Sequence, residues 1–506
     1  MSRKRLVIIT LGIMLSLFLA SMESTVVATA MPTIVTQLGG LEYYSWVFSA
    51  YMLASTTTVP LFGKLSDLYG RRPVYAAAMV LFLLGSLLCG MAQSIQQLIL
   101  FRVIQGLGAG GLLPLAFIIV GDLFTFEQRA RMQGLFSGVW GVSSVVGPLL
   151  GGFLVERVSW HWVFYINIPF GLLAGALVWM AWVDRAPANG VARPAVDYAG
   201  AGLLTAGVVV LLLGLFDLGT PIGWALLGLA ALLFAALVWV ERRAADPVLP
   251  LPLFRDRMFA VACANGLLAG WALFGSVSFV PLYVQAVLGT SALAAGAALT
   301  PLLLGWVGAS IIGSRLLLQV GYRTLALIGM SLLTIGALLM SLNDANTSQI
   351  ILLIDLGLMG IGMGLTIPSF LIAVQSTVQR KDLGSATSMV QFSRSIGGTI
   401  GVSVMGAALS IRLSSALRAA GLDPNAVSLD KLLDPLAGAN AGAALEGALR
   451  SALASAIQVV FVIAFVAAAL ALLVTFFAPG GRIAQLAARR SQSEAEPPAP
   501  SVTMSD

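Results

Sequence analysis

Apolar runs long enough to cross a bilayer recur along nearly the whole chain. They lie at 6–30, 43–64, 74–93, 96–121, 132–155, 160–183, 197–217, 222–242, 257–288, 292–318, 321–342, 348–376, 383–411 and 452–478. About 20 helical residues, rising 1.5 Å each, span a hydrocarbon core. The pattern predicts an all-α polytopic membrane protein of about fourteen transmembrane helices. Composition supports it: only 10% of the residues are charged, and the mean hydropathy is +0.95. A soluble domain carries roughly 25% charged residues, so no water-solvated surface is available here.

The net charge of +6 reports orientation. With both ends placed in the cytoplasm, 21 of the 28 Lys and Arg fall inside, among them Arg3, Lys4, Arg5, Lys64, Arg71, Arg72, Arg129 and Arg131. Arg157, Arg412, Arg418, Lys431 and Arg450 fall outside, and Arg102 and Arg394 lie within spans. This distribution follows the positive-inside rule and argues for a lipid bilayer, not nucleic acid, as the partner of the basic residues. Residues 3–5 and the apolar run after them look like a signal peptide with Ala28-Thr29-Ala30 as its cleavage site. Removing that helix would spoil the charge asymmetry, so it is read as retained.

Catalytic and metal chemistry have little to rest on. Cys89 and Cys263 both fall in spans and His161 is the sole histidine, so the sequence predicts no disulfide framework, no metal site and no cofactor. No nucleophile motif appears, and the chain reads as a non-enzyme.

Two halves are related. Gly106, Gly108, Gly110 and Pro114 match Gly360, Gly362, Gly364 and Pro368, each 254 positions on, and Gly134, Gly147 and Gly151 match Gly384, Gly397 and Gly401, each 250 on. Such a repeat predicts two six-helix bundles about an axis along the membrane normal, with a central cavity. The expected organisation is a bundle over 1–185, two inserted helices with their loops over 186–256, and a second bundle over 257–480. The last of these carries an outer loop at 412–451, expected to extend its flanking helices, and 481–506 is expected to be a disordered cytoplasmic tail.

The most specific motif is Gly63-Lys64-Leu65-Ser66-Asp67-Leu68-Tyr69-Gly70-Arg71-Arg72, in the short loop after the second span. Gly63 and Gly70 suit a tight turn, Arg71 and Arg72 anchor it, and Asp67 is placed to bond N–H groups at a helix start or a neighbouring Arg. It resembles the signature loop of the major facilitator superfamily. Arg102 with Gln105-Gly106-Leu107-Gly108-Ala109-Gly110 is similar to that family's fourth-helix motif, and Gly147-Pro148-Leu149-Leu150-Gly151-Gly152 to its antiporter motif. With Trp160, Trp162, Asn167, Pro169, Gly171 and the inserted pair, the chain over about 6–480 resembles the fourteen-helix drug:proton antiporters (QacA/EmrB-like). Glu23 stands where that group more often has Asp, and His161 where Arg is commoner. The resemblance implies the major facilitator fold, with bundles that rock about a central site and proton uptake driving export. It implies no cofactor beyond the proton gradient, a functional monomer and a bacterial inner-membrane location.

Ionisable groups at membrane depth are functional candidates by default. These are Glu23, Arg102, Asp355 and Arg394. Glu23, Arg102 and Asp355 each lie roughly 10 Å below the outer surface, as expected of one cavity or charge network. Each also has a structural reading: Arg102 as a helix-to-helix brace, Arg394 as a donor to backbone carbonyls. Gln105, Trp140, Asn265, Trp271 and Gln391 are candidate cavity-lining side chains, the tryptophans equally suited to lipid or core. Pro148, flanked by Gly147, Gly151 and Gly152, is expected to seat the fifth helix against a partner across the bundle interface.

The function these features favour is proton-coupled export of lipophilic, often cationic compounds. A carboxylate in a low-dielectric cavity exchanges a proton for a cation, and entry of that proton yields about 2.3 kcal/mol per 100 mV. Alternatives are a lipid or amphiphile exporter of the same fold, a proton symporter, and a membrane sensor, which would need a soluble effector domain.

Overall fold

The computed structural model describes residues 3–39, 43–182, 197–216, 218–244, 247–249, 251–290, 297–344, 347–419 and 443–480. Among them run the helices α1 (Arg3–Leu38), α2 (Tyr44–Tyr69), α3 (Arg71–Gly90), α4 (Ile95–Leu123), α5 (Phe126–Arg157), α6 (Asn167–Ala181) and α7 (Tyr198–Phe216). They continue as α8 (Pro221–Glu241), α9 (Arg257–Leu282), α10 (Thr300–Val320), α11 (Tyr322–Ser341), α12 (Gln349–Thr377), α13 (Leu383–Ala419) and α14 (Ala443–Phe476). A single π-helical turn, Tyr283–Val287, follows α9. The expected tail from 481 and the middle of the outer loop lie outside the described residues, although α13 and α14 both extend into that loop's ends.

Among the described residues, eleven helices are long and apolar enough to cross a membrane. α2 carries Ser55, Thr56, Thr57 and Thr58, while α5 carries Ser137, Ser143 and a series of glycines. Thr57 and Thr58 donate back to carbonyls of their own helix, Leu53 and Ala54 at 3.0 and 2.9 Å, which satisfies the hydroxyls away from water. Small and hydroxylated faces of this kind mark helix-to-helix contact in membranes.

The glycines that relate the halves in sequence also occupy equivalent places in space. Gly106 and Gly110 on α4 abut α2, and Gly108 abuts α3; Gly360 and Gly364 on α12 abut α10, and Gly362 abuts α11. A Cβ at Gly360 would strike the Leu302 backbone, and one at Gly108 the backbone of Phe82. Gly147 and Gly151 on α5 press on Thr25 and Thr29 of α1, as Gly397 and Gly401 on α13 press on Leu267 and Trp271 of α9. The short loops after α2 and α10 match as well. Gly70 and Gly321 sit at φ 90° and 92°, a left-handed conformation that strains any residue with a side chain.

Two seams join the halves. Along one, Gly134 and Gly141 of α5 meet Ile311 and Val307 of α10, and Ser137 Oγ bonds Ser310 Oγ at 2.7 Å. Along the other, α2 meets α13, where Gly63 lies against Ser388 and Gly384. Leu204, Val208 and Leu212 of α7 pack there with Leu53 and Val59 of α2 and with Phe392 and Ile396 of α13, so the inserted pair covers this second seam.

These contacts correct the expectation for the Gly147-Pro148 segment. Gly147 and Gly151 face α1 within their own half, Gly152 meets nothing, and the Pro148 side chain lies outside the described set. The glycines of α5 that cross to the other half are Gly141 and Gly134, about two and about four turns before Gly147. A helix presents opposite faces to α1 and α10, and glycines suit either.

Candidate functional site

The deepest polar cluster is assembled by α1, α2, α3, α4 and α6. Glu23 and Arg102 are each about 1% exposed, and Arg102 donates from an Nη to Glu23 Oε1 at 2.6 Å. The same guanidinium donates to Gln105 Oε1 at 2.7 Å and to the Val47 carbonyl at 3.3 Å, and stacks over the Tyr51 ring at 4.1 Å. Gln105 Nε2 passes the network on to Ser86 Oγ at 2.8 Å. Asn167 Nδ2 closes it by donating to Glu23 Oε2 at 2.7 Å. Both carboxylate oxygens are therefore bonded, one to a cation and one to a neutral amide. α3 approaches α4 closely here because Gly85 has no side chain: a Cβ there would overlap the Gln105 backbone.

A buried ion pair is weak evidence for stability, since desolvation consumes most of the attraction. It is better suited to switching. A proton on Glu23 would remove the charge that Arg102 holds and leave the guanidinium to Gln105, Val47 and Tyr51. The side chains that complete this arrangement, Asn167, Ser86 and Tyr51, were not singled out as partners by depth or charge. Asn167 carries the one usable signal, an amide near the start of an apolar helix.

Asp355 does not join this network. It is buried in the other half, where Asn343 Nδ2 donates to its Oδ2 at 2.9 Å. Arg394 lies in the same half, beside Gln391 and Asn265 in a pocket between α9, α12 and α13. Trp271 packs on Gly401 with its buried Nε1 unbonded, and Trp140 is exposed on α5. The candidates that share a depth thus divide between two separate sites. Among the described residues, no group of three or more His, Cys, Asp or Glu could hold a metal ion.

A second polar site sits at the end of the molecule that bears the Gly63–Arg72 loop. Arg71 donates to Asp67 Oδ1 at 2.7 Å, to Ser66 Oγ at 2.7 Å and to Asp122 Oδ2 at 2.8 Å. Asp67 then reaches across the seam. Its carboxylate accepts the Gly384 and Ser385 backbone N–H groups at 2.9 and 2.7 Å and the Ser385 hydroxyl at 2.8 Å. These N–H groups belong to the first turn of α13, which has no carbonyls of its own to offer them. Asp67 is thus an N-terminal cap supplied by the other half, and the negative charge also suits the helix dipole. Arg72 takes no part, and lies over the Trp179 ring of α6 at 4.0 Å. Nearby, Arg129 donates to the Phe124 and Gln375 carbonyls at 3.0 and 3.2 Å and to that of Gly121, drawing together the C-terminal ends of α4 and α12. Gln375 Nε2 returns a bond to the Phe117 carbonyl at 3.2 Å.

This end is closed by polar bonds that must break before the halves part. Asp67→Ala is expected to remove about 1–3 kcal/mol from the closed arrangement. The readout is maleimide labelling of a Ser388→Cys variant, since Ser388 is fully buried against Gly63 and the native Cys89 and Cys263 are buried as well. Asp67→Ala should speed labelling, and an unchanged rate would show that the cap does not hold this end shut.

At the end opposite the Gly63–Arg72 loop, His161 stacks on Trp160 at 3.8 Å and bonds Ser159 Oγ at 2.6 Å through Nδ1. Partial burial shifts its pKa downward from the ordinary histidine value, because desolvation disfavours the charged ring.

The family model described as "Major Facilitator Superfamily" matches residues 13–402. The chain is 39% identical over 420 residues to a multidrug transporter protein, MdtP, of Bacillus subtilis, covering 82% of this chain and 77% of that one. It is 38% identical over 404 residues to multidrug resistance protein 3 of the same organism, covering 79% and 78% respectively. In fold it is similar to the proton:xylose symporter XylE, with a TM-score of 0.63 at 13% identity over 97% of this chain and all of the other. It is likewise similar to the human organic anion transporter MFSD10, with a TM-score of 0.61 at 15% identity over 92% of this chain and 100% of that one. With its helical halves, its capped loop and this coverage, the chain belongs to the Major Facilitator Superfamily: it is a multi-pass membrane transporter, not an enzyme.

Proposed function

We propose that this chain is a proton-coupled antiporter exporting lipophilic, often cationic compounds across a bacterial inner membrane. It would work as a monomer, in the manner of the fourteen-crossing drug:proton antiporters, with α7 and α8 inserted between bundles at 1–185 and 257–480. The observation that carries this reading is the fully buried Glu23, bonded on one oxygen to Arg102 and on the other to Asn167. A carboxylate at membrane depth costs free energy that ordinary packing does not repay, and here it sits on a helix where proton and partner cation compete for one oxygen. Relatives named for multidrug transport and resistance support the direction and the class of cargo. In this orientation the Asp67 cap closes the cytoplasmic end.

The test is transport in proteoliposomes with an imposed pH gradient. A lipophilic cation should move uphill as protons move down, and collapse of the pH gradient should stop it. Transport indifferent to the gradient would overturn the coupling. The topology has its own check: reporter fusions after residue 5 and after residue 490 are both expected to read cytoplasmic. A periplasmic signal from either would reverse the assignment of the two ends.

A further inference from the structure

Between α9, α12 and α13 lies a partly open pocket, with Met363, Ile367, Phe370 and Val390 among its apolar walls. Leu371 on the same wall packs into the core of the N-terminal half, so the pocket adjoins the face where the halves meet. Its polar side chains are Asn265, Thr366, Gln391 and Arg394. The first two are committed elsewhere. Asn265 donates to Thr475 Oγ1 at 2.9 Å and to the Ala471 carbonyl at 3.4 Å, and Thr366 donates to the Gly362 carbonyl at 2.8 Å.

The other two are uncommitted. Gln391 Oε1 is buried and accepts no hydrogen bond, and the Arg394 guanidinium has neither hydrogen bond nor ion pair among the described residues. No carboxylate lines the pocket. Asp355, on the α12 wall, stands eight residues before Met363, about 12 Å along the helix, and is bonded to Asn343. Arg394 is seated deliberately, because Gly270 leaves room for its stem: a Cβ there would fall 3.2 Å from Arg394 Cγ and overlap the Arg394 carbonyl. An uncompensated guanidinium and an orphaned buried acceptor, three residues apart on one helix, are each costly. Together they describe the complement of a missing group, one that offers charge to the first and a donor to the second.

We propose that this pocket binds lipophilic acids. The ligand's carboxylate takes the fork of Arg394, an O–H or N–H beside it donates to Gln391 Oε1, and its apolar body lies against Met363, Ile367 and Phe370. The inference rests on the export reading and names a substrate class for it, adding acids to the cations that Glu23 suits.

The probe is dansylaminoundecanoic acid, whose fluorescence rises in an apolar site, compared with its methyl ester and with a trimethylammonium analogue of equal length. Binding is measured on the full chain in nanodiscs, at equilibrium and without a proton gradient. The acid should bind at least about tenfold more tightly than the ester, as a charge-assisted bond requires. Arg394→Gln should abolish that preference and Arg394→Lys retain part of it. Gln391→Glu places an acid beside Arg394 and should weaken the acid while favouring the trimethylammonium analogue, which settles the matter if Arg394→Gln fails to fold. Equal binding of acid and ester by the native chain, or an acid affinity unmoved in both Arg394→Gln and Gln391→Glu, would overturn the proposal. An acid preference without gradient-driven export would leave this site standing and remove the antiport reading; export of a cation without any acid preference would do the reverse.

Discussion

Glu23→Gln is expected to give a folded protein that binds its substrate and no longer moves it uphill. The replacement keeps size and an acceptor oxygen, so Arg102 retains a bond at that position as well as those to Gln105 and Val47. Asn167 likewise keeps an acceptor only if the new amide turns its oxygen that way, and one of the two bonds must be lost. What disappears entirely is the titratable group. Uphill transport in proteoliposomes should fall to the level of empty vesicles while equilibrium binding persists, and thermal stability should fall as well, because Arg102 keeps a buried charge without its carboxylate. A variant that still accumulates a lipophilic cation against its gradient would show that the proton travels by another residue, and Asp355 would be the first to examine.

Arg102→Ala is expected to be the most damaging single replacement for the folded state. It strips Glu23 of its cation at 1% exposure and empties a space lined by Tyr51, Gln105 and the Val47 carbonyl. Removing one partner of a buried pair costs about 3–5 kcal/mol, most of it the penalty on the charge left behind. The damage should be smaller in acidic buffer, where a protonated Glu23 has no charge to compensate. Adding Glu23→Gln to Arg102→Ala removes that charge outright, so the double variant should be more stable than Arg102→Ala alone. A coupling of about 1–3 kcal/mol is expected from a cycle of the four proteins, read by thermal unfolding in detergent. Additivity within a few tenths would mean that the two groups touch without depending on one another.

The contrast between Glu23 and Asp355 shows what a sequence of this kind reveals. Counting residues from a helix end gives depth well, because the rise per residue is fixed. It gives direction around the helix poorly once nearly every face is apolar, and α4 and α12 have almost no polar face to orient them. Glu23, Arg102 and Asp355 were therefore legible as costly groups at one level, whereas their division into a pair and a separate Asp355–Asn343 site was not. The same blindness assigned Gly147 and Gly151 to the interface between halves when they face α1. The class of fold, the repeat and the capping role of Asp67 were open to reading because each rests on spacing along the chain. Asn167, Ser86 and Tyr51 were not, because neutral groups in an apolar helix become conspicuous only when a charge is beside them.

The inserted hairpin makes the transporter lopsided in the plane of the membrane. α7 lies along the α2–α13 seam, and no described helix lies along the α5–α10 seam, where Leu135, Val142 and Ile312 are half or more exposed. Acyl chains therefore touch one of the two joints directly and reach the other only past a helix pair. A compound already dissolved in the bilayer meets a sealed flank on one side and a bare joint on the other. A bilayer-dissolved compound would therefore come upon the joint between the halves from the α5–α10 flank without first passing the inserted pair.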